Sequence, residues 1–474
     1  MLTFPAVSFC LYKINIVFLP YDFNSELMKS SSNQIDMLHG PLLGKILMFA
    51  IPLAASSVLQ QLFNSIDIAV VGKFASSEAL AAVGSNSPVI SLLVNLFVGI
   101  SVGANVIIAN HIGQRDHQRI RDAVNTVTVL ALFSGIILLF VGLLVARPIL
   151  EAIDTPQNII DLSTLYLRIY FLGMPFLMIY NFGAAVLRSM GDTKRPLYCL
   201  IIAGVINTIL NLILVIGFDM SVAGVAIATV IANGVSAVMI IHLLIHEEEP
   251  FQLRWKEMRI QKQELSKMLN IGIPAGLQGM VFSISNVVLQ SAVNSFGSDA
   301  VAGSAAALNF EFYCYFMIGA FDGVAVTFIG QNYGAGQTER CKKIFWMCMG
   351  LSVLSCGLLN VLFFWQDRFF LNLFTSDPHV VSYGIVRMKV VLLAQWLACS
   401  YEVAGSALRG LGHSVLPAVL TIFGTCLLRL GWVYWVVPHY HQFDVVLLVY
   451  PISWIITGIM VCMAYYIITK KIYR

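Results

Sequence analysis

The feature that most constrains the fold of this chain is a series of twelve apolar segments, each long enough to cross a lipid bilayer as a helix. A helix needs about 20 residues to span the hydrocarbon core. The segments are 43–72, 79–111, 121–146, 159–186, 196–217, 222–245, 267–296, 300–330, 343–365, 380–408, 415–437 and 445–469. Of the 474 residues, 58% are hydrophobic and 11% are charged, so the chain is far more apolar than a soluble domain. The sequence therefore predicts an all-α polytopic membrane protein with twelve transmembrane helices.

The positive charges predict the orientation of these segments. Lys and Arg cluster at 115–121, 188–195, 254–267, 340–343 and 470–474, whereas the intervening loops contain only Lys73, Arg147 and Arg368. Because cytoplasmic loops carry an excess of Lys and Arg, both termini and the linker at 246–266 are expected in the cytoplasm. We expect the linker to be a solvated connector or an amphipathic surface helix. The net charge of +3, with no basic face, argues against a nucleic-acid partner.

Neither the N-terminal extension at 1–37 nor the cysteines carry a recognisable function. The apolar piece at 2–19 is interrupted by Pro5, Lys13 and Asn15, so it is a poor span and a poor signal peptide. Two interpretations are open: translation starts at Met28 or Met37, or the piece is a short interfacial segment. The nine cysteines include no CxxC pair, so we expect neither a disulfide framework nor a metal site.

An internal repeat divides the chain into two halves. Lys45, Ile51, Pro52, Phe74 and Ser76 recur 222 residues later as Lys267, Ile273, Pro274, Phe296 and Ser298. After a slip of one residue the offset is 221, and FGAAVLRSMG at 182–191 corresponds to VAGSALRGLG at 403–412. Because each half has an even number of spans, the halves should be related by a pseudo-two-fold axis along the membrane normal. We predict an N-lobe at 38–245 and a C-lobe at 267–474, each with six helices, around a central cavity.

The first segment contains an acidic residue, Asp67, that is our first candidate for a functional side chain. A carboxylate inside a bilayer is costly, so it normally faces a cavity or a partner and marks a functional site. The alternative is that Asp67 lies near the helix end and reaches headgroups or caps a neighbouring helix.

Six stretches resemble the multidrug and toxic compound extrusion (MATE) family of transporters, in its bacterial branch. They are QQLFNSIDIAVVGKFASSEALAAVGS at 60–85, GISVGANVIIA at 99–109, LRIYFLGMPFLMIYNFGAAVLRSMGDTKRPL at 167–197, NVVLQSAVNSFGSDAVAG at 286–303, TFIGQNYGAGQ at 327–337 and LFTSDP at 373–378. The resemblance extends over nearly everything from Leu38 to the C-terminus. It implies two six-helix lobes in the bacterial inner membrane, and export of organic, often cationic, amphiphiles driven by inward flow of Na⁺ or H⁺.

The resemblance also implies a cation site in the N-lobe. In bacterial and archaeal relatives such a site has an acid on the first helix, an Asn and an acid on the fifth, and a Thr on the sixth. The matching positions here are Asp67, Asn207, Asn211 and Thr229. Asn211 stands where the family has its second acid, which leaves one formal charge, so H⁺ and Na⁺ are both allowed and we favour H⁺ slightly. The alternative is that the three neutral residues form interhelical hydrogen bonds worth about 1 kcal/mol each.

We assign six residues to a substrate cavity: Gln60, Asn64, Asn181, Glu311, Tyr313 and Glu402. Glu311 lies in NFEFYCYF, where aromatic rings and a carboxylate together suit a lipophilic cation. The alternative is that Glu311 pairs with a base. For Glu402 the alternative is a structural ion pair with Arg429.

The sequence predicts a secondary-active antiporter that exposes one cavity alternately to the two sides of the membrane. We expect a monomer that acts on small organic substrates and needs no cofactor beyond its coupling ion. One rival is a lipid-linked oligosaccharide flippase, which should have a strongly cationic cavity, whereas the interior charges are expected to be mostly acidic. A membrane receptor or enzyme is disfavoured because GISVG at 99–103 lies inside an apolar segment and no phosphate-binding loop motif occurs.

Overall fold

The computed structural model describes residues 34–153 and 155–472. The interpretations of residues 1–33 lie outside this part of the chain. The long helices, numbered in chain order, are α1 (Leu42–Phe74), α2 (Ser77–Gln114), α3 (His117–Ala152), α4 (Ile160–Leu172 and Met174–Ser189), α5 (Lys194–Gly217), α6 (Ser221–Ile245), α7 (Lys262–Asn294), α8 (Ser298–Gly334), α9 (Thr338–Trp365), α10 (Pro378–Gly410), α11 (Val415–Val436) and α12 (Phe443–Ile472). Each predicted apolar segment corresponds to one of them, which confirms the all-α polytopic fold.

The fourth helix is the one that bends sharply. Its two parts meet at 48°, and together they are long and apolar enough to form one membrane span. In the described residues, eleven other helices are each long and apolar enough to span a membrane. Gly173 ends the first part, and Pro175 lies in the first turn of the second, a position where proline is well tolerated. Other departures from regular helix are a 3-10 stretch at Leu392–Leu397 in α10 and π-helical stretches at Leu212–Gly217 in α5 and at Ile422–Leu427 and Trp432–Val436 in α11.

The helices form the two predicted lobes, and the beginning of α1 reaches across to the second. Phe171 and Phe182 belong to the core of α2–α6, whereas Phe328 and Tyr401 belong to the core of α7–α12. Phe49 on α1 lies edge-on to Phe328 on α8, with ring centroids 5.4 Å apart. The first half of α1 therefore packs into the core of the C-lobe.

Glycines allow α2 and α7 to approach each other closely across the lobe boundary. A Cβ atom added to Gly99 would lie 2.2 Å from the backbone nitrogen of Gly276, and one added to Gly276 would lie 2.3 Å from the carbonyl oxygen of Leu96. Small residues at helix crossings of this kind are typical of membrane proteins. The backbones of α2 and α7 are therefore in direct contact where the two helices cross.

Polar contacts join the lobes at the same end, which we call the linker face because the linker lies there. His111 on α2 and Glu264 on α7 form a buried pair with Nε2 and Oε2 2.7 Å apart. Asn105 donates to the hydroxyl of Thr327 at 3.1 Å. Arg340 at the start of α9 donates to the carbonyl oxygens of Met37, His39 and Gly40, which anchors the segment before α1.

The linker is neither a long helix nor a free chain. Its helical part is the short 3-10 turn Trp255–Glu257, so the predicted amphipathic helix is wrong for the described residues. Arg259 pairs with Asp122 on α3 at 3.2 Å, and Arg195 on α5 pairs with Glu247 at 2.8 Å. The connector is thus fastened to the N-lobe. Helix α7 begins at Lys262, inside the predicted linker, because hydropathy marks only the apolar part of a helix.

Candidate ion and substrate site

Asp67 lies inside the N-lobe on α1, with 8% of its surface exposed. Its carboxylate accepts a short hydrogen bond from the side-chain amide of Asn211 on α5. Two tyrosines of α4, Tyr166 and Tyr170, stack at 6.0 Å and are close enough to interact electrostatically with the acid. Asp67 is therefore held within the lobe, and the alternative in which it reaches headgroups is not what the structure contains.

A chain of hydrogen bonds links Asp67 to the other three predicted residues. Asn211 also donates to the side-chain oxygen of Asn207 at 3.2 Å, one turn earlier on α5. Asn207 donates in turn to the hydroxyl of Thr229 on α6 at 3.3 Å, and that hydroxyl donates to the carbonyl oxygen of Val225 at 3.0 Å. The structure thus brings together all four residues from three helices. Their role in ion coupling stays a prediction.

One oxygen in this cluster has no partner. The Oδ1 atom of Asn211 is buried and accepts no hydrogen bond, although its residue is fully buried. An unsatisfied buried acceptor is costly and calls for an explanation, such as a bound water or ion. The π-helical stretch of α5 begins at Leu212, directly after this residue, and such irregular turns are frequent at functional sites.

The cluster offers oxygen ligands only. A carboxylate, amide oxygens and a hydroxyl suit a hard cation, and a carboxylate alone suits a proton. Among the described residues there is no group of three His, Cys, Asp or Glu side chains that could hold a metal ion. The arrangement is therefore suited to exchanging one monovalent cation.

Two of the predicted cavity residues lie on an exposed face of α1. Gln60 and Asn64 are both exposed and precede Asp67 by about two turns and about one turn of helix, respectively. Asn181 instead donates to the carbonyl oxygen of Leu177 in its own helix at 2.9 Å, outside the Asp67 cluster. Tyr313 is half-buried, with its ring edge-on to Phe316 at 6.3 Å. The assignment of these residues to a substrate cavity stays a prediction.

The assignment of Glu311 to the cavity requires correction. Both of its carboxylate oxygens accept from Arg387, at 2.6 and 2.8 Å, and both residues are buried. Ser304 and Gln395 complete the surroundings, because Arg387 donates to the serine hydroxyl at 2.8 Å and Gln395 donates to the Glu311 carbonyl at 2.9 Å. The acid is therefore a paired group, as the alternative interpretation expected, and its charge is already balanced.

Glu402 does not pair with Arg429. It accepts a hydrogen bond from Tyr315 on α8 at 3.2 Å, and it interacts electrostatically with Asp322 and Arg409. Arg429 instead contacts the neutral residues Asn286 and Ser453. The expectation of a mostly acidic interior also requires correction, because two arginines, Arg387 and Arg429, are buried within the described part of the C-lobe beside the acids Glu311, Asp322 and Glu402. Charge alone therefore does not exclude the flippase.

Sequence reasoning missed the tyrosine pair beside Asp67 and the neighbours of Arg429. Tyr166 and Tyr170 are one turn apart on an apolar helix, which gives no functional signal without the fold. Asn286 had a usable signal, because it is the counterpart of Asn64 at the 222-residue offset of the repeat.

Two repeated six-helix lobes joined at one face are an architecture typical of polytopic membrane transporters. The MatE family model matches residues 52–213 and 274–435, once in each lobe. The probable multidrug resistance protein YoeA of Bacillus subtilis (strain 168) is 27% identical over 434 residues, which cover 90% of this chain and 93% of that protein. The probable multidrug resistance protein NorM of Thermotoga maritima is 26% identical over 391 residues, with 81% and 84% covered.

Solved structures share the fold. An outward-facing multidrug resistance MATE family transporter of the MOP superfamily superimposes with a TM-score of 0.85 at 21% identity, covering 92% of this chain and 98% of that one. A MATE structure in a bent conformation gives the same TM-score at 20% identity, covering 92% and 97%. This protein belongs to the MatE family. It is a multi-span membrane protein of a family whose members are transporters and not enzymes.

Proposed function

We propose that this protein exports organic, often cationic, amphiphilic compounds in exchange for H⁺ or Na⁺, and that the ion binds at Asp67. The relatives named as multidrug resistance proteins support small organic substrates. The protein would act as a monomer in the bacterial inner membrane, with both termini and the linker in the cytoplasm.

The observation that carries the proposal is the buried Asp67–Asn211 pair with its unpaired amide oxygen. The amide group of Asn211 donates to an ionised carboxylate, and after rotation its oxygen can accept from a protonated one. With the carboxylate ionised, the same oxygen is available to a cation. One site can therefore alternate between a loaded and an empty state without a second acid.

The lobe contacts support alternating access. The contacts between α2 and α7 extend from the linker face to about the middle of both helices, where Asn95 donates to Ser283 at 3.0 Å, whereas Gln60 and Asn64, nearer the other end of α1, are exposed. With the linker in the cytoplasm, this arrangement is closed to the cytoplasm and open to the outside. Ion binding inside one lobe would bias the equilibrium between this state and its opposite.

Asp67→Asn in proteoliposomes tests the function. Wild-type protein should transport ethidium when a pH or Na⁺ gradient is imposed. The variant should lose at least nine-tenths of that gradient-driven rate while still binding ethidium, because a permanently neutral side chain cannot respond to the binding of the coupling ion. Asp161→Asn is the matched control, since Asp161 is exposed and pairs only with the surface residue Arg147. Separate pH and Na⁺ gradients identify the ion. A wild-type rate in Asp67→Asn, with unchanged dependence on both ions, would refute the proposal.

A further inference from the structure

Arg429 on α11 is a buried cation that no acid of the described residues neutralises through an ion pair. It is 1% exposed, and it donates only to neutral groups, the Ser453 hydroxyl at 3.3 Å and the Asn286 amide oxygen at 3.2 Å. Its Nη2 atom is buried without any hydrogen-bond partner. A buried charge without a partner is strongly unfavourable, so this guanidinium has an unused capacity to bind an anion.

Aromatic rings hold the guanidinium in place. Its central carbon lies 4.6 Å from the ring centroid of Tyr450 and 5.2 Å from that of Phe282. The same tyrosine ring lies 5.4 Å from Arg387, whose charge is already taken by Glu311. The cluster thus contains two arginines and one acid, and the excess positive charge belongs to Arg429. Cation–π contacts stabilise an arginine but leave its charge available.

The repeat relates one residue of this cluster, Asn286, to the helix that carries Asp67. Asn286, which accepts from Arg429, is the counterpart of Asn64 at the 222-residue offset, and both asparagines are exposed. Arg429 itself directly follows Leu428, the counterpart of Asn207 at the 221-residue offset. Asp67 itself corresponds to Leu289 and Arg429 to Thr208, so the N-lobe has an acid and the C-lobe has an arginine at positions that the repeat does not relate to each other. Arg429 lies one side chain behind the exposed Asn286.

We propose that Arg429, with Asn286 at its entrance, is a binding subsite for the anionic group of an amphiphile, a carboxylate or a sulfonate. A planar guanidinium matches such a group with paired donors. Phe282 and Tyr450 supply the apolar and aromatic surface that the body of an amphiphile needs. The substrates would then include zwitterions that carry an anionic group beside their cationic one. The substrate class rests on the proposed efflux function, but the subsite can be tested by binding alone.

Rhodamine B and its ethyl ester make a matched pair of probes, since they share one cationic ring system and differ by a free carboxylate. Their dissociation constants are measured by fluorescence polarisation with purified protein in phosphatidylcholine nanodiscs. Asn286→Asp leaves Arg429 in place and gives it an internal carboxylate. It should shift the ratio of the two dissociation constants at least tenfold against the acid, the size expected for loss of a charge-assisted hydrogen bond.

Two further variants separate the subsite from general effects. Asn372→Asp adds the same charge at an exposed position between α9 and α10, outside both proposed sites, and should shift the ratio less than threefold. Arg429→Met should reproduce the shift of Asn286→Asp. Arg429→Lys keeps the positive charge and should therefore retain part of the preference for rhodamine B over its ester. An unchanged ratio in Asn286→Asp, or an equal shift in Asn372→Asp, overturns the proposal.

The lipid composition distinguishes a substrate subsite from a lipid site. In phosphatidylglycerol nanodiscs the preference for rhodamine B over its ester should persist. Its loss there would assign the guanidinium to a lipid headgroup and overturn the substrate subsite. If wild-type protein binds neither dye, the proposed efflux of such compounds fails; if it binds both with a ratio that no variant changes, only the subsite fails.

Discussion

The buried charges of this protein differ in what balances them. Glu311 and Arg387 neutralise each other completely, Asp67 is held by an amide, and Arg429 is held by neutral groups and rings. A balanced pair has no charge left for a ligand, whereas a charge held by neutral groups can bind an ion of opposite sign. The partner of a charged residue, and not its type, therefore separates structural from functional candidates here.

Glu311→Gln should destabilise the C-lobe without changing substrate selection. Removing one partner of a buried ion pair leaves an uncompensated charge and costs about 3–5 kcal/mol. Thermal unfolding of the purified protein should report that loss, while binding of cationic and neutral compounds changes by the same factor. The double variant Glu311→Met with Arg387→Met should recover most of the stability. A selective loss of cation binding in Glu311→Gln would restore Glu311 to the cavity.

At the scale of elements, the helices most relevant to function are the irregular or closely packed ones. Helix α5 changes to π-helical turns right after Asn211, and α11 has a π-helical stretch that begins at Trp432, shortly after Arg429. The contact between α2 and α7 is made by backbone against backbone at Gly99 and Gly276. Side-chain contacts between the same helices lie on either side of it, at Asn95–Ser283 and at His111–Glu264.

Gly276→Ala should weaken the closed linker face. The added methyl group would overlap the Leu96 carbonyl oxygen, and overpacking of this kind costs about 1–3 kcal/mol. We expect a lower melting temperature and faster labelling of a cysteine at position 105 from the linker face. Gly350→Ala on α9 is the matched control, since an added Cβ there meets nothing within 4 Å. Equal labelling rates in the two variants would argue against the idea that the contact between α2 and α7 closes the linker face.

At the scale of the whole molecule, the lobes are joined at one face by both shape and charge. The His111–Glu264 pair, with Lys267 2.9 Å from the same acid, lies between α2 and α7 near the linker. Separation of the lobes at this face would have to break that buried pair. The closed state therefore has a specific polar contribution besides its helix packing.

The topology can be tested with cysteine labelling in an otherwise Cys-free variant. Lys194 and Lys342 lie at the linker-side starts of α5 and α9, whereas His439 lies in the loop between α11 and α12 at the opposite face. A membrane-impermeant maleimide added to intact cells should label a cysteine at 439 and leave those at 194 and 342 unlabelled, as the distribution of Lys and Arg predicts. Rapid labelling at 194 or 342 would contradict the predicted orientation.

The sequence by itself determined the number of helices, the repeat and the family. Hydropathy is a local property, so the apolar segments could be found without the fold, and the repeat from Lys45 and Lys267 onward implied two similar lobes. The resemblance also named Asp67, Asn207, Asn211 and Thr229, which the structure brings together from three helices.

Only the tertiary structure decided which polar groups meet inside the lobes. Glu311 and Arg387 are far apart in the sequence, and so are Arg429 and Asn286, and nothing local indicates that the first two form a pair while Arg429 has no acid. The bend of α4, the start of α7 at Lys262 and the contact between α2 and α7 likewise depend on packing between distant segments. The physical reason is that the apolar composition of a segment determines whether it enters a bilayer. Whether a buried charge is neutralised depends instead on the three-dimensional positions of its neighbours.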